Sequence, residues 1–366
     1  MIVKAAVSYE IKTPMRVEEV TLDEPQDSEV LVRIVAAGTC HSDLHFLNGD
    51  IPVAMPVVMG HEGAGIVEKV GPGVTTLKPG DHVVLMVAFS CGRCSYCAEG
   101  RPTLCVENLP IQIMGTLPGG GIRLHKDNQE LHHLFGLACF AEYAVLHERS
   151  VVKVREDAPL DVVCLLGCGT STGIGAVLNT AGVKAGESIV IYGCGGVGLS
   201  ALMAAKLAGA GMIIAVDTLE QKLEMARDLG ADYVVDASQE DPQQKALELT
   251  AGRGADYAVP CVGNAEAIMQ AFGSIRSGGK CVVVGLPPIG VNLNVAPFEL
   301  LQAKVLTGTT QGDITPSVDI PRYIDLFMNG RLPLDKLITK KCTLHEINEA
   351  YEALQKGEVI RTIIQF

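Results

Sequence analysis

Eight consecutive residues, Gly38 to His45, concentrate side chains that can do chemistry. Among them, Cys40 carries a thiol, His41 and His45 carry imidazoles, Ser42 carries a hydroxyl and Asp43 carries a carboxylate. Each of these groups can ligate a metal, transfer a proton or orient a ligand. Such a cluster in a weakly polar sequence indicates a chemical role, whose partners must come from the rest of the chain.

Four closely spaced cysteines form the most specific metal motif. Cys91, Cys94, Cys97 and Cys105 are separated by two, two and seven residues. Four thiolates close a tetrahedral shell around one Zn²⁺, so this spacing predicts a structural zinc that fastens a loop. An iron–sulfur cluster is the rival, but the bacterial ferredoxin run has its fourth cysteine after three residues and then Pro. Val106 follows Cys105 here, and structural zinc is favoured.

A glycine-rich loop, Gly193-Cys-Gly-Gly-Val-Gly198, predicts a dinucleotide site. It follows a predicted strand and opens a predicted helix, and Asp217 ends the next strand, 19 residues after Gly198. The glycines permit a tight turn and let the backbone approach a pyrophosphate at the helix N-terminus. A carboxylate at Asp217 would accept from the adenosine ribose and repel a 2′-phosphate, which favours NAD over NADP. The loop residues assigned to the cofactor are Gly193, Gly195, Gly196, Val197 and Gly198.

Three further potential ligands are dispersed along the chain. Cys40, His61 and Cys168 each have a glycine nearby, where the backbone can approach other groups closely. A Cys₂His set with an open fourth position is one form of catalytic zinc site. Spacing alone does not separate this grouping from ordinary burial, because a lone buried Cys or His is more often a core residue.

Composition limits the classes of protein to consider. A chain of 366 residues suggests two domains. A net charge of −13 without a basic run makes nucleic acid and anionic membranes poor partners. The N-terminus lacks the apolar core of a secretory signal and no run of 18 apolar residues occurs, so a soluble cytoplasmic protein is expected. Twelve cysteines in that compartment favour metal ligation over disulfides.

The pattern of secondary structure changes near residue 170. Before about residue 155, short β-branched runs between Gly and Pro turns are typical of a barrel-like β unit. Beyond residue 170, buried strands alternate with helices, which predicts a parallel, doubly wound sheet. The predicted strands are 29–36, 64–70, 82–87, 142–146, 188–192, 212–217, 232–236, 256–262 and 280–286. The predicted helices are 197–207, 219–229, 242–250 and 266–275, with amphipathic helices near 321–328 and 345–356.

Together these motifs resemble the zinc-containing, medium-chain alcohol dehydrogenase family, particularly its class III-like and aryl-alcohol-type members. The matching segments follow the family's order over nearly the whole chain: Gly60-His-Glu-Gly-Ala-Gly65, the four cysteines, Leu165-Leu-Gly-Cys-Gly169, the glycine loop with Asp217, and Ile360-Arg-Thr-Ile363. The resemblance implies a GroES-like β-barrel catalytic domain over 1–165, containing the structural-zinc lobe. It further implies a Rossmann-type, doubly wound parallel-sheet NAD-binding domain over 166–310 and a C-terminal return to the catalytic domain over 311–366.

The resemblance also implies roles for single residues around two zinc ions per chain. Cys40, His61 and Cys168 would hold the catalytic zinc, with Glu62 close behind it and Asp43 orienting His61, as metal-bound imidazoles usually require. Ser42 would hydrogen-bond the alcohol oxygen, and His45 would pass the proton towards solvent.

The remaining implied roles concern the dinucleotide. His41 and Arg361 would contact its pyrophosphate, and Lys222 its adenosine ribose beside Asp217. For His41, Lys222 and Arg361, solvated surface charge is the alternative interpretation.

The implied activity is hydride transfer between NAD and a primary alcohol or its aldehyde, because zinc acidifies a hydroxyl bound to it. One alternative is a zinc-independent quinone or enoyl reductase of the same superfamily, which would lack the set Cys40, His61 and Cys168. The other alternative is a non-catalytic dinucleotide-binding relative, which would have lost ligands or the proton relay.

Substrate and assembly are less strongly indicated. The family's glutathione-dependent members hold a glutathione carboxylate with an arginine after the zinc lobe, whereas no Arg or Lys lies between Cys105 and Arg123. Val87, Leu134 and Leu286 are the apolar residues expected in the pocket, which favours a medium-chain, allylic or aromatic primary alcohol; ordinary core is their alternative. The resemblance implies a homodimer, with a homotetramer left open, paired near residues 305–310.

Overall fold

A computed structural model describes all residues from 1 to 366, which form two compact units. The first unit comprises residues 1–168, 315–330 and 334–366, and the second comprises residues 169–314 and 331–333. No single helix is long and apolar enough to cross a membrane; one bent pair, Leu160–Gly167 with Gly169–Ala181, passes by length and composition alone.

Eighteen strands form the sheets. In chain order they are β1 Ile2–Ser8, β2 Arg16–Leu22, β3 Glu29–Gly38, β4 Val57–Val58, β5 Glu62–Val70, β6 His82–Leu85, β7 Leu124–Lys126, β8 Gln129–His133, β9 Tyr143–His147, β10 Val151–Lys153, β11 Ser188–Tyr192, β12 Met212–Asp217, β13 Tyr233–Asp236, β14 Ala255–Pro260, β15 Ile275–Val283, β16 Val305–Gly308, β17 Ile338–Thr343 and β18 Arg361–Gln365.

Twelve α-helices connect them. They are α1 His41–Asn48, α2 Ser95–Ala98, α3 Asn108–Met114, α4 Leu160–Val163, α5 Gly169–Gly175, α6 Gly196–Ala208, α7 Glu220–Leu229, α8 Pro242–Leu249, α9 Ala265–Gly273, α10 Pro297–Leu301, α11 Pro316–Met328 and α12 Ile347–Gln355. A π-helical turn, Ala176–Ala181, continues α5.

The first unit is built from β-strands, as the sequence predicted. Strands β1, β2, β7, β8 and β4 close a small barrel, and a second sheet has the order β10-β6-β5-β3-β18-β17, with β9 also paired to β3. Strand β3 is almost wholly buried, which matches its run of Val, Leu, Ile and Ala. Because β3 lies between β5 and β18, the ends of three strands from distant parts of the chain meet at one edge.

The second unit contains the predicted parallel sheet. Its six strands have the order β13-β12-β11-β14-β15-β16, all pairs being parallel. Strands β12 and β14 flank β11, so the strand order reverses beside β11, where ligands bind in open sheets of this type. The predicted strand 280–286 instead runs from Ile275 to Val283. Val284 and Gly285 both donate to the Pro260 carbonyl, which turns the chain out of the ladder.

Candidate active site and metal centres

The ends of β3, β5 and β18 assemble the predicted catalytic residues. Gly38, the last residue of β3, pairs with Glu62 at the start of β5 and with Ile363 in β18. A Cβ on Gly38 would lie 2.7 Å from a Glu62 carboxylate oxygen and 3.3 Å from the Arg361 guanidinium. Glycine is therefore required for this close approach of three strands.

The three dispersed ligands lie together in the first unit. One ligand atom each from Cys40, His61, Glu62 and Cys168 lies within 4.8 Å of the others. His61 is fully buried, and its Nε2 has no hydrogen-bond partner. One imidazole nitrogen and two sulfur atoms form a donor set that suits Zn²⁺. A metal ion would also give the buried Nε2 the partner that it lacks within the protein. The residues therefore fit a catalytic zinc.

The charges of these groups favour a cation at the same place. The pKa of the Cys40 thiol is lowered by a hydrogen bond from Cys168 and by the nearby His61 imidazole. The pKa of the Cys168 thiol is raised by its hydrogen bond with Cys40 and by burial. Burial opposes a charged His61, but Asp43 and Cys40 outweigh it and raise the pKa of His61 to about 10. Such a set holds protons that a divalent cation would displace.

Asp43 connects α1 to the metal ligands. Its Oδ1 accepts from His61 Nδ1 at 2.8 Å, and its Oδ2 accepts from the Tyr351 hydroxyl at 2.5 Å and from the Cys40 backbone N–H at 3.3 Å. All four residues are buried. Sequence reasoning named Asp43 and His61 but missed Tyr351, whose only signal was its place in a predicted amphipathic helix.

Glu62 and Arg361 form a buried ion pair behind the ligands. Glu62 is inaccessible to solvent and Arg361 is 3% exposed. The guanidinium balances the Glu62 carboxylate next to two thiols, which limits the negative charge of the cluster. A contact between Arg361 and the cofactor stays a prediction.

Helix α1 carries the other residues of the opening stretch. Ser42 Oγ lies 3.7 Å from Cys40 Sγ, and His45 Nδ1 lies 3.0 Å from Asp50 Oδ2. Both Ser42 and His45 are half-buried, while His41 is exposed. Asp50 was missed by sequence reasoning, although its position five residues after His45, just past the helix, was a usable signal.

An aromatic residue flanks His61. The Phe135 ring meets the His61 ring edge-on, with centroids 4.9 Å apart, and the Phe46 ring at 5.1 Å. Phe135 has φ +55°, an uncommon backbone conformation for a bulky residue. Val87 and Leu134 are buried in the core against which Phe135 and Cys168 pack. Leu286, expected with them, is 45% exposed in the second unit.

The four-cysteine lobe forms a second donor set. The sulfur atoms of Cys91, Cys94, Cys97 and Cys105 lie within 4.8 Å of one another. Backbone N–H groups of Cys97 and Val106 lower the pKa of Cys94 to about 6, while burial raises the pKa of Cys97 to about 12. Four converging sulfur atoms fit the closed shell of a structural zinc.

The glycine loop lies at the carboxyl end of β11. Gly193 has φ +92°, and a Cβ on Gly198 would clash with the carbonyl oxygen of Gly193, so both positions demand glycine. A Cβ on Gly195 would meet nothing within 4 Å, which leaves open space beside the N-terminus of α6. This arrangement fits a pyrophosphate approaching the helix N-terminus.

Asp217, at the end of β12, braces that loop. Its Oδ2 accepts from Cys194 N–H at 2.7 Å, and its Oδ1 accepts from Thr218 N–H at 2.8 Å and Leu219 N–H at 3.0 Å. These bonds orient the carboxylate predicted to accept from the adenosine ribose. Lys222 is half-buried in α7, the helix that follows β12.

A Cys₂His donor set, a four-cysteine lobe and a dinucleotide loop define a zinc-dependent dehydrogenase. Two family models match the chain: the alcohol dehydrogenase GroES-like domain over residues 26–156 and the zinc-binding dehydrogenase domain over residues 196–329. These matches and the sheets described above confirm the predicted fold class.

Relatives cover almost the whole chain. An S-(hydroxymethyl)glutathione dehydrogenase of Synechocystis sp. is 38% identical over 99% of both chains. An NDMA-dependent alcohol dehydrogenase of Amycolatopsis methanolica is 41% identical, covering 99% of this chain and 98% of that protein. The crystal structure of benzyl alcohol dehydrogenase from Acinetobacter calcoaceticus superposes with a TM-score of 0.95, at 37% identity, covering 100% of this chain and 99% of that one.

The chain therefore belongs to the zinc-containing, medium-chain alcohol dehydrogenase family. It is an NAD-dependent oxidoreductase of small-molecule alcohols, with zinc and NAD as cofactors. The predicted enzyme class is confirmed, and a zinc-independent reductase or a non-catalytic relative is not supported.

Proposed function

We propose that this enzyme interconverts medium-chain, allylic or aromatic primary alcohols and their aldehydes. The observation that carries the proposal is the apolar wall beside the catalytic ligands. Phe135 contacts the His61 ring, and Val87 and Leu134 belong to the core against which Phe135 and Cys168 pack. A substrate carbon chain or ring gains free energy there by leaving water, at roughly 25 cal/mol per Å² of apolar surface buried.

A glutathione adduct is disfavoured by the segment after the zinc lobe. Residues 106–122 contain no Arg or Lys to pair with a glutathione carboxylate. Helix α3 in this segment instead exposes apolar side chains, Leu109, Ile113 and Met114. The likeness to a benzyl alcohol dehydrogenase supports an apolar substrate, although several relatives are named for S-(hydroxymethyl)glutathione.

The chain's own residues divide the work. Zinc held by Cys40, His61 and Cys168 would acidify the alcohol hydroxyl, and bound NAD would supply the hydride acceptor. The Ser42 hydroxyl, next to Cys40, takes up the alcohol proton while releasing its own proton, and His45 passes that proton towards solvent. Asp50 orients the His45 imidazole through Nδ1. Asp43 holds the ring of His61.

The cofactor contacts extend this proposal. Asp217 and Lys222 bind the adenosine ribose, and the loop from Gly193 to Gly198 holds the pyrophosphate. The family resemblance assigns His41 and Arg361 to the cofactor as well. The first unit, which holds the zinc ligands, accordingly forms the catalytic domain, and the second unit, which holds the glycine loop, forms the cofactor domain.

Substrate comparison tests the proposal. We expect kcat/KM to rise from ethanol to hexanol and benzyl alcohol, by roughly tenfold for each 1.4 kcal/mol of added transition-state binding. S-(hydroxymethyl)glutathione should be a poor substrate. A clear preference for ethanol or for the glutathione adduct would contradict the proposed substrate class without questioning alcohol oxidation itself.

We infer a homodimer formed by the second unit. Strand β16 pairs on one side only, with β15. This strand and the segment before it expose large apolar side chains: Leu286, Ile289, Val291, Phe298, Leu300, Leu301 and Val305. An apolar stretch beside an unpaired strand edge favours pairing with a second copy. Light scattering during size-exclusion chromatography should give twice the chain mass; a monomer would overturn this, and a tetramer would show a further interface.

We place the enzyme in the cytoplasm. The cysteines of both metal clusters are free, and thiolates persist as metal ligands in a reducing compartment.

A further inference from the structure

We propose that Tyr351 is a positioning residue for the catalytic metal, acting through Asp43 on His61. This inference concerns metal binding and does not depend on which alcohol is the substrate. It assigns a role at the active site to α12, whose residues lie about 300 positions after α1 in the chain.

The argument begins with the directions of the bonds to Asp43. Tyr351 and the Cys40 N–H both donate to Oδ2, at 2.5 and 3.3 Å, so Oδ1 is left to accept from His61 Nδ1 at 2.8 Å. The imidazole is thereby held as the tautomer with its proton on Nδ1. Its Nε2 lone pair then faces Cys40 and Cys168 as a metal donor.

Packing fixes the Tyr351 hydroxyl in this position. The Tyr351 ring meets the Phe140 ring edge-on at 6.1 Å, and the residue is 4% exposed. Ile347, Ala350 and Leu354 of α12 are buried in the core that also contains Leu44 and Phe46 of α1. Burial and the neighbouring Asp43 also raise the pKa of Tyr351, so the phenol stays protonated and can only donate to the carboxylate.

Removing the hydroxyl would free one lone pair of a buried carboxylate. Asp43 could then turn about its side-chain torsions, and the His61 ring would lose part of its fixed orientation. Changing the partners of metal ligands typically costs 10- to 100-fold in metal affinity. Tyr351 is one hydrogen bond further from the metal than Asp43 is. We therefore expect its removal to lower zinc affinity by about tenfold, at the lower end of that range.

The test compares zinc release from the two sites of one chain. Tyr351→Phe in the zinc-loaded enzyme should lose catalytic zinc to a chelator about tenfold faster, with release from the four-cysteine lobe unchanged. The visible absorption of the enzyme with cobalt in the catalytic site should also shift. Tyr257→Phe is the matched control, because it removes a partly buried tyrosine hydroxyl that donates to the Glu187 carboxylate in the second unit. It should change neither release rate.

A double-mutant cycle makes the proposal refutable even if Tyr351→Phe lowers stability. If Tyr351 acts through Asp43, adding Tyr351→Phe to Asp43→Asn should produce no further loss of catalytic zinc. Additive losses would overturn the proposal, as would unchanged zinc release and an unchanged cobalt spectrum. If zinc release became equally faster at both metal sites, the substitution would have destabilised the whole protein, and the proposal would also be overturned.

Discussion

The two metal clusters of the first unit are built in opposite ways. The four lobe cysteines fall within fifteen residues, and two of them, Cys94 and Cys97, are only half-buried. The catalytic set is spread from Cys40 to Cys168, and its Cys40, His61 and Glu62 are buried. A short loop closes the first cluster, whereas paired strand ends and a chain of buried hydrogen bonds assemble the second.

This difference separates two uses of the same ion. Four local thiolates complete the coordination of zinc and stabilise a loop that could not otherwise fold on its own. Two thiolates and one imidazole, held by distant elements, leave a position for substrate. Zinc binding at the dispersed cluster should therefore depend on residues packed around the ligands, whereas zinc binding at the four-cysteine lobe should depend only on the lobe's own sequence.

The largest expected effect is the difference in kcat between variants that remove one thiolate from each cluster. Cys168→Ser should lower kcat by about 10³-fold, since metal polarisation contributes several kcal/mol to the transition state. Zinc content should fall from two to one per chain with the fold intact. Cys105→Ser should instead expose residues 91–105 to protease and change kcat by less than about tenfold.

Those two variants serve as controls for each other. Equal loss of activity in both would mean that the lobe supports catalysis directly, and the division between local and dispersed clusters would fail.

Ser42→Ala addresses the proton path without touching a metal ligand. Turnover should fall by about 10²-fold, the usual contribution of a positioned proton acceptor, while zinc content and NAD affinity stay nearly unchanged. Steady-state kinetics with metal analysis measure both. Unchanged turnover would remove Ser42 from the relay.

Chelation should remove the two ions in sequence. The catalytic zinc should leave first, about tenfold or more faster than the lobe zinc, because its fourth position is open to the chelator. Activity should then disappear when one zinc per chain remains. If activity outlasts the loss of the first ion, the assignment of the two sites is reversed.

The smallest expected effect is on the acid stability of the first unit, whose fold holds the dispersed ligands together. Burial and the nearby Arg123 hold the pKa of His133, in β8, at about 3, below its ordinary value of 6.5. The unfolded chain binds this proton more readily, so stability is full above pH 6.5 and is lost as the pH falls towards 3. His133→Gln, which can still accept from Arg123 N–H, should lower the midpoint of acid unfolding by about one pH unit. An unchanged midpoint would mean that other groups govern acid unfolding.

Local patterns were readable from the sequence for a physical reason. The cysteine spacing, the glycine loop and the strands 188–192 and 212–217 are contiguous, and their geometry follows from neighbouring residues. The predicted strand 280–286 extended too far, because Val284 and Gly285 donate to the carbonyl of Pro260, whose position is set by another strand.

The sequence by itself determined the family, the fold class and the identity of the dispersed ligands, the last only through a family resemblance. Tertiary structure decided that Gly38, Glu62 and Arg361 share one strand edge, that Phe135 flanks His61, and that Tyr351 donates to Asp43. No local pattern encodes such contacts, because strand pairing and helix packing bring together residues as far apart in the chain as positions 38 and 361. For the opening stretch, its residue types show which chemistry is available, and the packed strands and α12 decide where each group acts.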